Sequence, residues 1–387
     1  MAVAAREWDR ICSRRLYFCL GLALPLLTFA FFTALFSRGI IADLPVAVVD
    51  RDHSALSRTF IRMVDASQGV AVVAQMADLE EGRRAIVQGR IHGLLVLPEN
   101  MERDVFRGQG ASPAFYYNNQ LFLVGGILQR TLGKVGGTLS AGIDFKRRMK
   151  TGDSRDGAKV HLEPVGVDVH TLFNPYLNYT HYLYLALLPS MLMIFACCLT
   201  THALCSEIKA GSCGQWLDCA GGSALTALVG KLLPHTLMLV ICGGIMFLLN
   251  FKVLSIPLVG SGMFILGATL VYILACQMIC VFIFALVKNM DKAVAMSSVY
   301  SGSAFAFAGI TFPALGMPKL AQGYSALLPL SHFMRILQDQ ALRGADLGYS
   351  MPGLNQLLAF VLVPGLLGLV LTRLPGGVFH GKGADHV

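Results

Sequence analysis

Six apolar stretches, each long enough to cross a lipid bilayer, decide what this chain can fold into. Crossing the hydrocarbon takes roughly 20 predominantly apolar residues. Such runs lie at about Leu16–Phe36, His181–Leu204, Leu225–Leu249, Gly260–Leu286, Ala293–Thr311 and Leu354–Leu371. The fold class they predict is an α-helical polytopic membrane protein with about six transmembrane helices. The first run, with Arg14 and Arg15 ahead of it, resembles a secretory signal. Its apolar stretch is longer than the usual signal core of about 7–15 residues, and no small-x-small cleavage site follows, so a retained anchor is expected.

Between the first and second runs the chain changes character. Charged residues make up 14% of the sequence, well below the roughly 25% of soluble domains. Of these, 17 Lys/Arg and 15 Asp/Glu fall between Ser37 and Asn178, more than half of the total. A near-neutral polar domain is thus set into an apolar, slightly basic remainder. The organisation predicted is a tail and first span over 1–36, an inserted domain over 37–178, and a five-helix membrane domain over 179–387. The sequence pI of 9.0 invites a nucleic-acid reading. The excess basic charge sits beside apolar runs, however, so membrane lipid is the expected contact and no nucleic acid.

The inserted domain alternates short β-branched runs with helical segments. Leu44–Asp50 reads as a buried strand, and Ser54 as the N-cap of a helix through Ala66. Strands over Gly69–Gln75, Ile91–Leu97 and Pro113–Asn118 alternate with helices over Asp78–Gln88 and after Pro98-Glu99-Asn100. Such alternation predicts a small α/β layer. A long helical stretch then runs from Asn119 to Lys150, and Thr151–Gly157 reads as a linker. Asp50 and Asp52 have the spacing that opens a calcium loop but lack the glycine and distal Glu it needs, so turn and cap roles are expected.

Lys/Arg in the short loops sets orientation. One side holds Arg6, Arg10, Arg14, Arg15, Lys209, Lys288, Lys292, Arg373 and Lys382; the other holds Lys252, Lys319, Arg335 and Arg343. Both termini are therefore expected in the cytoplasm and the inserted domain outside. None of the 10 cysteines falls in that domain, so its core is expected to hold it together without disulfides.

The chemistry the sequence lacks is informative. The pairs Gly133-Lys134 and Gly230-Lys231 are followed by Val and Leu, without the Ser/Thr or glycine spacing of a phosphate cradle. The predicted spans hold no Asp or Glu, which argues against a carrier driven by protons or sodium. Their polar groups are Lys231, His235, His181 and His202; Lys231 is close enough to the cytoplasmic end to snorkel to the interface. A role for it in the pathway or in gating is the other reading. Cys198, His202 and Cys205 share a helix face, but no fourth ligand is evident, so packing is expected and no metal.

One segment stands out. After the second run come Glu207, Lys209, Gly211, Ser212 and Trp216, a helix end followed by a turn and an amphipathic stretch. Such a helix suits a partner that pushes on it. A carboxylate there can accept charge-assisted hydrogen bonds, and Trp216 is of the type enriched as an interface anchor.

That segment, Glu207-x-x-x-Gly211-Ser212, resembles the Glu-rich, Gly-Thr coupling segment of ABC-2 type permeases of ATP-binding-cassette exporters. Leu44–Ser57 is similar to the opening of that family's external domain, and Phe173-Asn174-Pro175 to its Phe-Asn-Pro segment. Phe312-Pro313, Met317-Pro318, Leu328–Phe333 and Arg343-Gly344-Ala345 resemble its outer re-entrant region. Here Ser206 stands where the family usually flanks the Glu with Arg, and Ser212 replaces Thr while keeping the hydroxyl.

The resemblance implies a permease subunit, not itself an enzyme, that moves substrate out across a bacterial inner membrane. It implies a separate cytoplasmic ATPase carrying ATP and Mg, and a second permease copy or a sister permease. A periplasmic adaptor is a further expected partner. Phe312 and Pro313, with Lys231, are candidate pathway or gating residues. The rival reading is a membrane receptor with the external domain as sensor; the short tails offer no signalling domain to serve it.

Overall fold

The computed structural model describes residues 2–39, 41–107, 109–150, 173–174, 177–374 and 377–379. The predicted linker Thr151–Gly157 and Pro175 of the Phe-Asn-Pro segment lie outside the described residues. The chain divides into two compact units, Arg38–Asn178 and Met1–Ser37 with Tyr179–Val387.

The larger unit begins with an amphipathic helix, α1 (Ala2–Ser13), which buries Val3, Glu7 and Ile11 at four-residue spacing. That spacing puts the three on one face. A span-length helix, α2 (Arg15–Leu35), follows.

The smaller unit is a four-stranded sheet with helices. In chain order it runs β1 (Leu44–Asp50), α3 (Ala55–Asp65), β2 (Val70–Gln75), α4 (Leu79–Val87), β3 (Gly93–Leu97), α5 (Met101–Phe106), β4 (Ala114–Tyr117) and the long α6 (Phe122–Lys150). Strand order is β2-β1-β3-β4, with β1 parallel to both neighbours and β4 antiparallel. The helix starts follow local chemistry. Ser54 and Ser57 form a reciprocal capping box at α3, and Asp78 accepts from the Glu81 N–H at α4. Such caps satisfy donors that a helix start leaves open. Asp50 accepts from the Asp52 and His53 N–H groups and from the Ser57 hydroxyl, and Asp52 from the Glu102 N–H. Both carboxylates serve turns and caps. Val46, Val48, Phe60, Leu95 and Leu128 form part of the core between sheet and helices.

The larger unit resumes with α7 (Thr180–Lys209), α8 (Cys213–Cys219), α9 (Ala224–Val253), α10 (Gly262–Val287), α11 (Met290–Phe307), α12 (Lys319–Ala326), α13 (Pro329–Gln338) and α14 (Leu347–Arg373). Five helices among the described residues are long and apolar enough to cross a membrane: α2, α7, α9, α10 and α14. The fifth apolar run of the sequence is α11, which carries Asp291, Lys292 and four serines in 18 residues. It is not among the five. Two of its serines, Ser297 and Ser301, are buried in the bundle, where the Ser297 and Thr201 hydroxyls meet at 2.8 Å. Around the shared core, where Tyr272 stacks on Phe333 at 4.5 Å, apolar side chains such as Leu27, Phe31, Leu362 and Leu366 stand exposed. That is the disposition of helices bathed in hydrocarbon rather than water.

Candidate functional site

The segment after the second span and the start of the third converge with the N-terminal helix. α7 carries Glu207 in its last turn, and Gly211, at φ +64°, reverses the chain after it. A positive φ of that kind is cheap only without a Cβ. The Ser212 N–H then bonds back to the Glu207 carbonyl at 3.0 Å, and the Ser212 hydroxyl donates to the Glu207 carboxylate. α8 follows, and Ser223 caps α9 by accepting from the Thr226 N–H. α9 brings Lys231 and His235 back to the same level, both completely buried.

Lys231 Nζ donates to Glu207 Oε1 at 2.9 Å and to Glu7 Oε2 at 2.7 Å. Glu7 comes from α1. Its other oxygen faces His235 Nε2 at 3.2 Å; opposite a carboxylate, that nitrogen carries the proton and donates. The Arg10 guanidinium donates to Glu207 and lies 3.5 Å from Glu7, and Arg6 reaches Glu207 at 3.4 Å. Two buried carboxylates thus share one lysine and are closed off by two arginines of α1. Burial alone would raise the Glu7 carboxyl. The His235 hydrogen bond and the Lys231 charge outweigh it and hold the group below its ordinary value. Charges this deep are tolerated only when paired, because an unpaired one forfeits its hydration.

Packing tightens around the charges. Trp216 is fully buried, donates from Nε1 to the Ala227 carbonyl at 3.1 Å and lies 5.3 Å under Lys231 Nζ. A Cβ on Gly230 would meet Val3 Cβ at 2.8 Å, so α1 lies against the backbone of α9. Tyr17 contacts the rings of His202 and His235, and its hydroxyl bonds to Ser206 at 3.2 Å.

Four expectations change. Lys231 does not snorkel: its ammonium is held inward by two carboxylates, a stronger pull than a distant water layer. Trp216 is not open to a partner groove, because Ala227 and Lys231 of its own chain already occupy its polar edge and one face. Glu207 likewise spends its oxygens on Lys231, Arg10, Arg6 and Ser212. The span carrying it is also longer than predicted, so a carboxylate does belong to a span-length helix. The surface left open there includes Lys209, Gly211, Gly214, Gln215 and Asp218.

Phe312 and Pro313 take no part in this cluster. The Tyr182 hydroxyl, at the end of α7 far from Glu207, donates to the Ile310 carbonyl at 2.9 Å, which puts Phe312 and Pro313 at the opposite end of the bundle, both exposed. Near that end a cavity of about 700 Å³ is lined by Arg335, Asp339, Arg343 and Tyr349 among others. The sequence reading missed Glu7, and it counted Arg6 and Arg10 only as loop charge. The available signal was the pattern Val3, Glu7, Ile11, a carboxylate in the middle of an otherwise apolar face.

The whole arrangement falls within a recognisable family. The sequence matches the family described as ABC-2 family transporter protein over residues 15–370. It is 23% identical over 351 residues to the inner membrane transport permease YhhJ of Escherichia coli strain K12, covering 87% of this chain and 88% of that protein. YhhJ of Shigella flexneri matches to the same extent. A match through every span-length helix and the inserted unit makes this chain a polytopic membrane transport protein of the ABC-2 transporter family.

Proposed function

We propose that the chain is the permease subunit of an ATP-binding-cassette exporter in a bacterial inner membrane, moving substrate outward with energy from a separate cytoplasmic ATPase. In this reading both termini and α8 face the cytoplasm, residues 38–178 face outward, and ATP and Mg reside on the partner. A second copy or a sister permease completes the pathway, and a periplasmic adaptor meets the outer domain.

The observation that carries the reading is the buried network joining α1, the end of α7 and the start of α9 through Glu7, Glu207 and Lys231. A transporter driven from outside its own chain needs a rigid place to receive force. The exposed edge of α8, with Gln215, Asp218 and the neighbouring Lys209, is the contact surface. Behind it, Trp216 and Glu207 pass displacement to two spans and to α1 together, because a packed, fully paired cluster moves as a body.

The test is reconstitution with a candidate cassette ATPase. The permease alone should hydrolyse no ATP; the pair should, and Gln215→Ala with Asp218→Ala should lower that stimulation without shifting the permease's melting temperature. Hydrolysis by the lone, contaminant-free chain would overturn the reading. Orientation is checked separately by an impermeant maleimide, which should label Glu80→Cys on intact cells.

A further inference from the structure

We propose that the inserted unit, residues 38–178, holds a binding site for a lipophilic small molecule between its sheet and its long helix. A cavity of about 650 Å³ lies there, within the 300–1,000 Å³ range of ligand pockets. It runs to the core of the unit. Leu95 of β3, Met101 of α5, Phe60 of α3 and Leu132 of α6 form its floor, and each is at least nine-tenths buried. It opens to the surface beside Gly110, Gly133 and Ser140, which are exposed, and reaches down to these buried apolar side chains.

α6 creates the space by what it leaves out. Gly133 and Gly136 line the cavity, and a Cβ added at either would meet no atom within 4 Å. Neither has a positive φ, so the backbone does not require glycine at these positions. Glycine is among the worst residues for a helix interior, yet two of them face the void. The walls are mostly aliphatic and aromatic, with Phe115 and Tyr117 stacked at 5.5 Å on β4. Polar groups are few: Tyr117, Gln129, Ser140 and Asp144. Among the described residues no Lys or Arg lines the cavity. The chemistry fits an uncharged aliphatic or aromatic body whose polar end meets Gln129, Ser140 or Asp144.

This site is independent of energy coupling and is tested without an ATPase. The full chain in lipid nanodiscs is titrated with dodecanol carrying a diazirine, irradiated, and mapped by peptide mass spectrometry. Saturable labelling is expected on the segments around Phe60, Met101 and Phe115, competed by plain dodecanol. Gly133→Leu with Gly136→Leu fills the void and favours the helix, so labelling of those segments should fall about tenfold while labelling of the span helices and the melting temperature hold. Gly136→Leu alone should give a partial loss and stands in if the double variant melts lower. The proposal is overturned if those segments are not labelled in the wild type. It is equally overturned if filling leaves their labelling unchanged, which would place the probe on the outer surface.

Discussion

Glu207 and Lys231 stand on consecutive span-length helices, and their side chains meet at 2.9 Å with no exposure to solvent. The pair closes the loop that carries α8, and Glu7 of α1 binds the same ammonium from the other side at 2.7 Å. Each charge is thus compensated by a group the sequence places far away.

Removing one partner should cost far more than removing a matched set. Lys231→Met leaves two carboxylates facing each other in a buried site and should destabilise the protein by about 3–5 kcal/mol. Glu207→Gln should cost less, because Glu7 still neutralises the lysine. Combining Lys231→Met with Glu207→Gln should recover part of the first loss, since it removes one of the two carboxylates that lost the lysine. Melting temperatures in detergent for the three variants check this; strict additivity would show that the groups do not interact.

Glu7 gives the cluster a defined pH dependence. Its folded carboxyl lies below the ordinary value of 4.5, so the native state favours the ionised form. The stability this contributes is present above the unfolded value and is lost as the pH falls through the depressed folded one. The stability gap between wild type and Glu7→Gln should therefore be flat from neutrality down to about pH 5.5, then close below 4.5. Parallel thermal melts across that range read it. A gap that widens on acidification would contradict the assignment.

Close approach of α1 to α9 rests on Gly230. Gly230→Leu forces a side chain into Val3, where a Cβ alone already comes to 2.8 Å. Such overpacking typically costs about 1–3 kcal/mol, and here displacement of α1 relieves it. Limited proteolysis should then cut within α1 several-fold faster than in wild type, with the unit of residues 38–178 unaffected.

Trp216 and its exposed neighbours should separate stability from coupling. Trp216→Ala empties a fully buried site and should cost about 3–5 kcal/mol, lowering the melting temperature whether or not a partner is present. Gln215→Ala and Asp218→Ala lie on the open side of α8 and should leave the melt unchanged. A transport defect confined to the second group would mark α8 as the contact surface.

What the sequence alone determined were the properties that repeat locally along the chain. Apolar runs located the five span-length helices, and β-branched runs with Ser54 as a cap located the strands and helices of the inserted unit. The fifth run, α11, is not among the five because Asp291, Lys292 and its serines lower its hydropathy; that Ser297 meets Thr201 across 96 positions is not visible in a local window. The site divided in the same way. Glu207, Gly211, Ser212 and Lys231 stood out by residue type and position. Only the tertiary structure showed that Glu207 and Lys231 bind each other, that Trp216 faces inward, and that Glu7, 224 positions from Lys231, completes the cluster. Periodicity specifies which face of a helix is buried. What that face is buried against depends on packing between distant segments, and the cost of an unpaired buried charge forces that packing to bring opposite charges together.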